Sequence, residues 1–188
     1  MNFLVLGLTG KRGAGKDTAA KYLKSKYGFR ILTYTDDVLA PLLKKLGKKV
    51  TRENLIRLAL QLRRREGKEI LTKMISARIT RPGFWAISGV RYPEETEYFR
   101  ECFGEDFTLI YIECSARKRY QRVKKRGTKG EGRLTFREFM KIEGRETEKV
   151  IGLNARFAEC RISNEGSFFQ LYRQIDTLAK ELGLARKK

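Results

Sequence analysis

Gly10-Lys11-Arg12-Gly13-Ala14-Gly15-Lys16-Asp17-Thr18 is the stretch on which the fold turns. It follows an apolar run, Phe3-Leu4-Val5-Leu6-Gly7-Leu8, with the content of a buried strand, and it precedes Ala19-Ala20-Lys21-Tyr22-Leu23, which reads as a helix. A strand, a glycine loop and Gly-Lys at a helix start form the context of a phosphate-binding P-loop. Glycines let the backbone curl until its N–H groups converge on one anion. The helix N-terminus adds unpaired donors and a positive dipole end. Lys16 is then placed to reach the outer phosphates of a nucleoside triphosphate. One position departs from the pattern. A Ser or Thr that binds Mg²⁺ usually follows the lysine; here it is Asp17, with Thr18 next. Asp17 can hold the metal directly or through water, or Thr18 can substitute. The plainer role for Asp17 is a first-turn acid facing the helix dipole.

Composition narrows the class. A chain of 188 residues fits one domain, 1–188, with a substantial core. No stretch reads as a secretory signal or approaches a membrane span, so a cytoplasmic protein without a membrane partner is expected. Cys102, Cys114 and Cys160 lack CxxC spacing and read as small core residues in a reducing compartment. With no histidine, imidazole ligands and His-based general bases are excluded. The formal charge of +20 invites nucleic acid, but it also fits phosphate-binding arginines with a solvated basic surface, or a thermophile.

The rest of the chain alternates strands and helices. Residues 29–34 read as a second strand, and Thr35-Asp36-Asp37 as the cap of a helix from Val38 to Leu46. A long helical pattern follows from Thr51, with Leu55, Leu58, Ala59, Leu62, Ile70, Met74, Ile75 and Ile79 in register. Gly67 can split it. Residues 84–88 form a third strand, Pro93 starts a helix to Cys102, and 107–114 form a fourth strand. Arg117 to Arg126 is a very basic helix. Thr135-x-x-Glu138 is a capping box before a helix to about Val150. Residues 160–163 make a fifth strand, and Phe168 to Leu182 a closing amphipathic helix. The tail at 186–188 is expected to fray. This alternation predicts an α/β three-layer sandwich, with a five-stranded parallel sheet between helices. Its ligands should sit beyond the carboxyl ends of the strands.

A P-loop alone serves kinases, GTPases, motors and binding modules. The base-reading N-K-x-D of GTPases is absent, and the third strand ends in Ser88 rather than the Asp of a motor ATPase. Arginine is abundant instead: Arg52, Arg63, Arg64 and Arg65; Arg91; then Arg117, Arg119, Arg122, Arg126 and Arg133. Phosphoryl transfer onto another phosphate needs cations on both groups and no general base, because the accepting oxygen is already ionised. The loop at 127–134 fits a lid that excludes water and delivers arginines. Residues 36–81 fit a helical acceptor-binding region.

At these residues the chain resembles the P-loop nucleotide kinases: adenylate kinase, phage-type deoxynucleoside monophosphate kinase and dephospho-CoA kinase. It looks most like poorly characterised archaeal and bacterial adenylate-kinase-like proteins. Gly15-Lys16-Asp17-Thr18 looks like the phage-type enzymes. Asp37-Val38-Leu39 resembles a Gly-Asp-x-Leu-Arg segment, with Ala40 in place of its arginine. Ser88-Gly89-Val90-Arg91 stands where adenylate kinase has Asp-Gly-x-Pro-Arg. Arg119-x-x-Arg122 resembles the start of a lid, and Asn164-Glu165-Gly166 the turn beside the donor base.

The resemblance implies a nucleotide kinase using ATP and Mg²⁺, with a small-molecule nucleotide acceptor. Gly10, Lys11, Arg12, Gly13, Ala14, Gly15, Lys16, Asp17 and Thr18 would hold the triphosphate and Mg²⁺, the metal through Asp17 and Thr18. Arg122, Asn164 and Gly166 would border the donor base. Arg52 and Arg91 would clamp the acceptor phosphate, with Asp37 touching the acceptor or the metal's water. Lys16, Arg91, Arg122, Arg126 and Asp37 would form the catalytic set, and Arg133 would join Arg122 and Arg126 in the lid.

Plainer readings stand beside these. Most of Arg63–Arg65 and of Arg117–Arg126 should face solvent. Glu143 and Glu146, one turn apart, can meet lid arginines, though ordinary surface positions are the plainer reading, and Phe168, Phe169 and Tyr172 fit helix packing. Two other functions stay open. A hydroxyl acceptor such as dephospho-CoA would need Asp36 or Asp37 as base. A nucleic-acid-associated ATPase or polynucleotide kinase is favoured by charge, but the aromatics do not interleave with the basic runs. A binding protein without catalysis is a third, prompted by Ser88.

Overall fold

The computed structural model describes residues 3–127 and 132–185, with the side chains of Glu146 and Thr147 left aside. Five strands form one parallel sheet: β1 (Leu4–Thr9), β2 (Arg30–Thr33), β3 (Phe84–Ser88), β4 (Phe107–Glu113) and β5 (Cys160–Ser163). Their order is β2-β3-β1-β4-β5. The sequence predicts this α/β class, and the register makes it concrete, with Leu8 opposite Ser88 and Thr9 opposite Tyr111.

β1 is buried along its whole length because both sheet faces are covered. Leu4, Leu6 and Leu8 face α1 (Lys16–Tyr27) and the last helix, α9 (Phe168–Glu181). Ala19, Ala20 and Leu23 meet Leu171, Ile175 and Leu178 in that layer. Val5 faces the other layer, which holds Val38, Ala59, Leu71, Ile75 and Phe99. Gly7 points the same way, because a Cβ there would lie 2.8 Å from the Phe107 ring.

The segment after β2 departs from the expected helix. Tyr34–Leu39 is one π-helical stretch, and α2 is only Ala40–Lys45. The N-cap is Thr33, whose hydroxyl oxygen accepts from the Asp36 N–H at 2.9 Å. Pro41 has no N–H to continue an α-helical ladder, and the Ala40 N–H reaches back five residues to the Thr35 carbonyl.

The long helical pattern is two helices, α3 (Arg52–Glu66) and α4 (Ile70–Ser76), parted at Gly67 with φ 97°. Thr51 caps α3, but Asn54 sends its side-chain amide to the Lys49 carbonyl instead of closing the box. α5 is Pro93–Phe103 and α6 is Ala116–Arg126. The capping box at Thr135 starts α7 (Phe136–Glu143), and Gly144 separates it from α8 (Glu146–Asn154). Of the expected lid at 127–134, residues 128–131 lie outside the described residues, as does the tail at 186–188. Cys114 is buried as expected; Cys102 is exposed on α5 rather than in the core.

One buried carboxylate fixes α3 and α5 to the end of β3. Glu95, fully buried in the first turn of α5, accepts from the Arg91 N–H at 2.8 Å and from Arg63 Nη2 at 2.8 Å. Arg63 also lies over the Tyr92 ring. Of the three consecutive arginines of α3, this one is turned inward, while Arg64 and Arg65 are exposed. Glu95→Ala leaves the Arg63 guanidinium without its buried counter-charge, so unfolding in urea should show a loss of ~3–5 kcal/mol. An unchanged midpoint would mean that the pair is not holding α3 to α5.

Candidate functional site

β1 delivers the chain to Gly10, whose φ of 147° suits glycine, and a Cβ there would lie 2.5 Å from the Ile112 carbonyl oxygen. Gly15, at φ 106°, lets the Asn164 amide press against the loop. Lys16 heads α1 and folds back into the loop. Its ammonium donates to the Gly10 carbonyl at 2.6 Å and the Lys11 carbonyl at 3.3 Å. Burial and then the positive charge of Arg91 lower its pKa to about 8, against the opposing pull of Asp17 and Glu148.

Asp17 and Ser88 meet beside the loop. The Ser88 hydroxyl donates to Asp17 Oδ1 at 3.2 Å, and the Gly89 N–H ties the end of β3 to the Leu8 carbonyl. A hydroxyl therefore stands at the end of β3 and a carboxylate follows the P-loop lysine, the reverse of the usual placement. The pair still supplies hard oxygen donors of the kind Mg²⁺ takes. Among the described residues, no cluster of three or more Cys, Asp or Glu side chains is arranged to cage a metal. That suits an ion held by one or two protein oxygens together with phosphate and water. Thr18 is half-buried at the next position of α1.

Arginines converge from several elements. Arg12 belongs to the P-loop, Arg52 opens α3, Arg91 follows β3 and Arg126 closes α6. Burial, then repulsion from Arg52 and Arg126, holds the Arg12 pKa below the ordinary arginine value, while Glu148 and Glu143 oppose the shift. Arg91 Nη1 donates to Glu148 Oε1 at 3.2 Å. The second oxygen of Glu148 is buried with no hydrogen-bond partner among the described residues.

Two residues of α6 brace the loop. Arg119, buried, donates from Nε to the Cys114 carbonyl at 2.8 Å and from Nη1 to the Arg12 carbonyl at 3.3 Å. Its Nη1 also lies 2.7 Å from Glu143 Oε2, which is 3.6 Å from Lys11 Nζ. Arg122 Nη2 donates to the Asn164 carbonyl at 2.9 Å, and Asn164 Nδ2 donates to the Ala14 carbonyl at 2.7 Å. Arg122 and Asn164 thus support the P-loop from the β5 side, where the donor base is expected.

Several expected site residues lie elsewhere or turn away. Asp37 bends back so that Oδ2 accepts from the Thr33 N–H at 2.6 Å, and Asp36 Oδ2 accepts from the Thr33 hydroxyl at 3.0 Å. Both therefore serve the π-helical cap. Gly166 lies against the Gln170 amide, which caps α9 through the Ser167 N–H. Arg133 is exposed. Conversely, sequence reading placed Glu143 on the surface and passed over Glu148. Both are buried, and both face the loop's cations. The available signal was Glu143 itself, an acid one position after Ile142 on a strongly amphipathic helix, but nothing local names Arg119 as its partner.

Removing Glu143 should reveal what holds the loop. Glu143→Ala strands the Arg119 guanidinium without its counter-charge, so stability should fall by ~3–5 kcal/mol in denaturant titration. Stability within ~0.5 kcal/mol of the parent, the range of an ordinary surface substitution, would place the loop's support elsewhere.

Comparison with known proteins agrees with this geometry. Residues 6–150 match the family model described as an AAA domain. A UPF0200 protein of Methanocaldococcus jannaschii is 31% identical over 183 residues, covering 95% of this chain and 90% of that one. Among solved structures, shikimate kinase from Bacteroides thetaiotaomicron aligns with a TM-score of 0.60 at 14% identity, over 96% of this chain and 99% of that one. A gluconokinase from Sinorhizobium meliloti aligns at 0.53 and 10% identity, over 97% and 98%. The chain has the fold of the P-loop kinases and belongs to the AAA-domain family whose model it matches and to the archaeal UPF0200 proteins.

Proposed function

We propose that this protein transfers the terminal phosphoryl group of ATP, with Mg²⁺, to a phosphate-bearing acceptor, a nucleoside or deoxynucleoside monophosphate. The observation that carries this reading is the convergence on the P-loop of Arg12, Arg52, Arg91 and Arg126 from separate elements. They are close enough for Arg52 and Arg126 to depress Arg12 and for Arg91 to depress Lys16. So much like charge gathered at one place is matched to a ligand with several negative charges, and two phosphate groups meeting end to end supply them.

In this reading the backbone N–H groups of Gly13–Lys16 and the Lys16 ammonium hold the donor phosphates. Lys16 exchanges its carbonyl partners for phosphate oxygens. Asp17 and Ser88 would hold Mg²⁺, which when bound would neutralise charge on the donor phosphates. Arg91 and Arg52 orient the acceptor phosphate in line. Its ionised oxygen attacks without a base, and Arg12 and Arg126 stabilise the charge spread over the transferring group. Arg122 stays beside Asn164 at the donor-base end. Residues 127–134 serve as the lid, and residues 36–81 receive the acceptor.

One observation favours a second reading, a hydroxyl acceptor. A hydroxyl needs a carboxylate to take its proton. Asp36 and Asp37 are drawn into the Thr33 cap, but Glu148 offers a buried, unpartnered oxygen beside Arg91.

The test is phosphoryl transfer from ATP and Mg²⁺ across all ribo- and deoxynucleoside monophosphates, with dephospho-CoA and a 5′-hydroxyl RNA in the same panel. Turnover of one or a few monophosphates is expected. Arg91→Ala should lower kcat/KM for them by ~100-fold or more, as for loss of a charge-stabilising group. Turnover of a hydroxyl acceptor alone, abolished by Glu148→Gln, would establish the second reading. Tight ATP binding with no transfer to any acceptor would remove both.

A further inference from the structure

The most exposed large apolar side chains among the described residues are Phe168 and Phe169, at 67% and 68%. They open α9, just past the end of β5, and they correct the expectation that these rings pack inward. The buried face of α9 is made by Leu171, Ile175, Leu178 and Ala179, and its first turn projects beyond that stripe. Burying either ring would contribute about 1.5–3 kcal/mol, so two adjacent exposed rings indicate a ligand.

Their arrangement names its class. Phe168 lies 6.2 Å from Tyr172 with an interplanar angle of 17°, and Tyr172 stacks on Tyr22 of α1 at 4.0 Å and 3°. Three near-parallel rings therefore run outward across α1 and α9, and Phe168 is the outer end. Lys26 Nζ lies over the inner ring of the series, Tyr22, at 5.5 Å, and the Arg173 guanidinium lies over the separate Phe169 ring at 5.9 Å. On the adjoining side of α9, Arg173 also lines an open groove of about 610 Å³ with Gln170, Gln174, Thr177 and Glu165, whose carboxylate is itself engaged by Ser115 and Lys118. The nearby acid Asp176 accepts from the Tyr22 and Tyr27 hydroxyls and pairs with Lys26, so its charge is offset locally.

We propose that this face of α1 and α9 binds single-stranded nucleic acid, with bases stacking on Phe168 and Phe169 and phosphates meeting Lys26 and Arg173. Stacking platforms with flanking cations suit a strand whose bases are unpaired and whose backbone is anionic. Charge decides between this occupant and a second copy of the chain. A second copy would cover the rings equally well but would set one +20 chain against another, whereas a polyanion is drawn to that charge. The face does not depend on the phosphoryl-transfer reading, because none of its side chains belongs to the P-loop or the arginine cluster.

The experiment is fluorescence anisotropy with labelled RNA and DNA oligonucleotides of about 12 nucleotides, comfortably more than one stacking platform spans. Each is compared with its duplex over a salt series. Single strands should bind more tightly than duplex, and saturating ATP should not displace them. Phe168→Ala with Phe169→Ala should weaken strand binding by ~30-fold or more, from about 1–3 kcal/mol per stacked base, while leaving the salt slope and the thermal melt unchanged. Phe168→Trp with Phe169→Trp should preserve binding. Arg173→Ala should flatten the salt slope by about one contact. Equal binding by the double-alanine variant would overturn the proposal in favour of undirected charge attraction. Displacement by ATP would assign the rings to the donor base. A change in oligomeric state on sedimentation, with strand binding unaltered, would assign them to a second copy.

Discussion

The carboxyl edge of this sheet depends on holding like charges together. Lys11, Arg12, Lys16, Arg91 and Arg119 crowd one loop; burial first and then repulsion from Arg91 lowers the Lys16 pKa, and burial first and then repulsion from Arg52 and Arg126 lowers that of Arg12. Backbone curvature alone cannot hold such a set. The structure answers with carboxylates placed behind the cations rather than in front of them. Glu143 takes Arg119 and Lys11, Glu148 takes Arg91, and Glu95 takes Arg63 and the Arg91 backbone. Each acid fixes an orientation while leaving the summed charge of the cluster positive. That surplus is the condition for binding a ligand as anionic as two phosphate groups.

The carboxylates also explain why α7 and α8 pack where they do. Both are short, and α8 has little amphipathic character to direct it. Phe139 gives α7 one fully buried anchor, and the ion pair with Arg119 sets its end against the P-loop. Arg119 touches the Arg12 carbonyl and stands over the Phe139 ring, so α6, α7 and the loop share a single side chain. Stability and site geometry are therefore one property here, and a loss of the pair is felt by both.

What was legible in the sequence was local. The P-loop, the buried strands, the split at Gly67 and the cap at Thr135 are written in adjacent residues, because strand burial, positive φ and capping act over a few positions. Arg91 was legible for the same reason, lying between a strand end and a helix-starting proline. The countercharges were not. Glu143, Glu148 and Glu95 take ion-pair partners 24 to 132 residues away, and on a helix each looks like a surface acid. Asp36 and Asp37 carried two readings, site acid and helix cap, and their bonds to Thr33 show the second at work in the π-helical stretch. Phe168 and Phe169 fit the helical period of α9, and period alone does not distinguish the buried stripe from the turn that overshoots it.

Strand order gives these assignments a spatial logic. The P-loop springs from central β1. To one side lie β3 and β2, with Arg91, Glu95 and the α3–α4 pair; to the other lie β4 and β5, with Arg122, Asn164 and the start of α9. The α7–α8 segment bridges the two flanks, through Glu143 to Arg119 on one side and Glu148 to Arg91 on the other. On the β2–β3 flank, Arg91 turns to the buried Glu148 and Arg63 to the buried Glu95. On the β5 flank, rings reach outward, beside a polar groove that is open to solvent. Arg12 and Arg91 are half-buried while Arg52 and Arg126 are exposed, so the guanidinium cluster opens to solvent on one flank, and Phe168 and Phe169 stand exposed on the other. Asn164, bonded to both Ala14 and Arg122, stands where the loop meets the second flank.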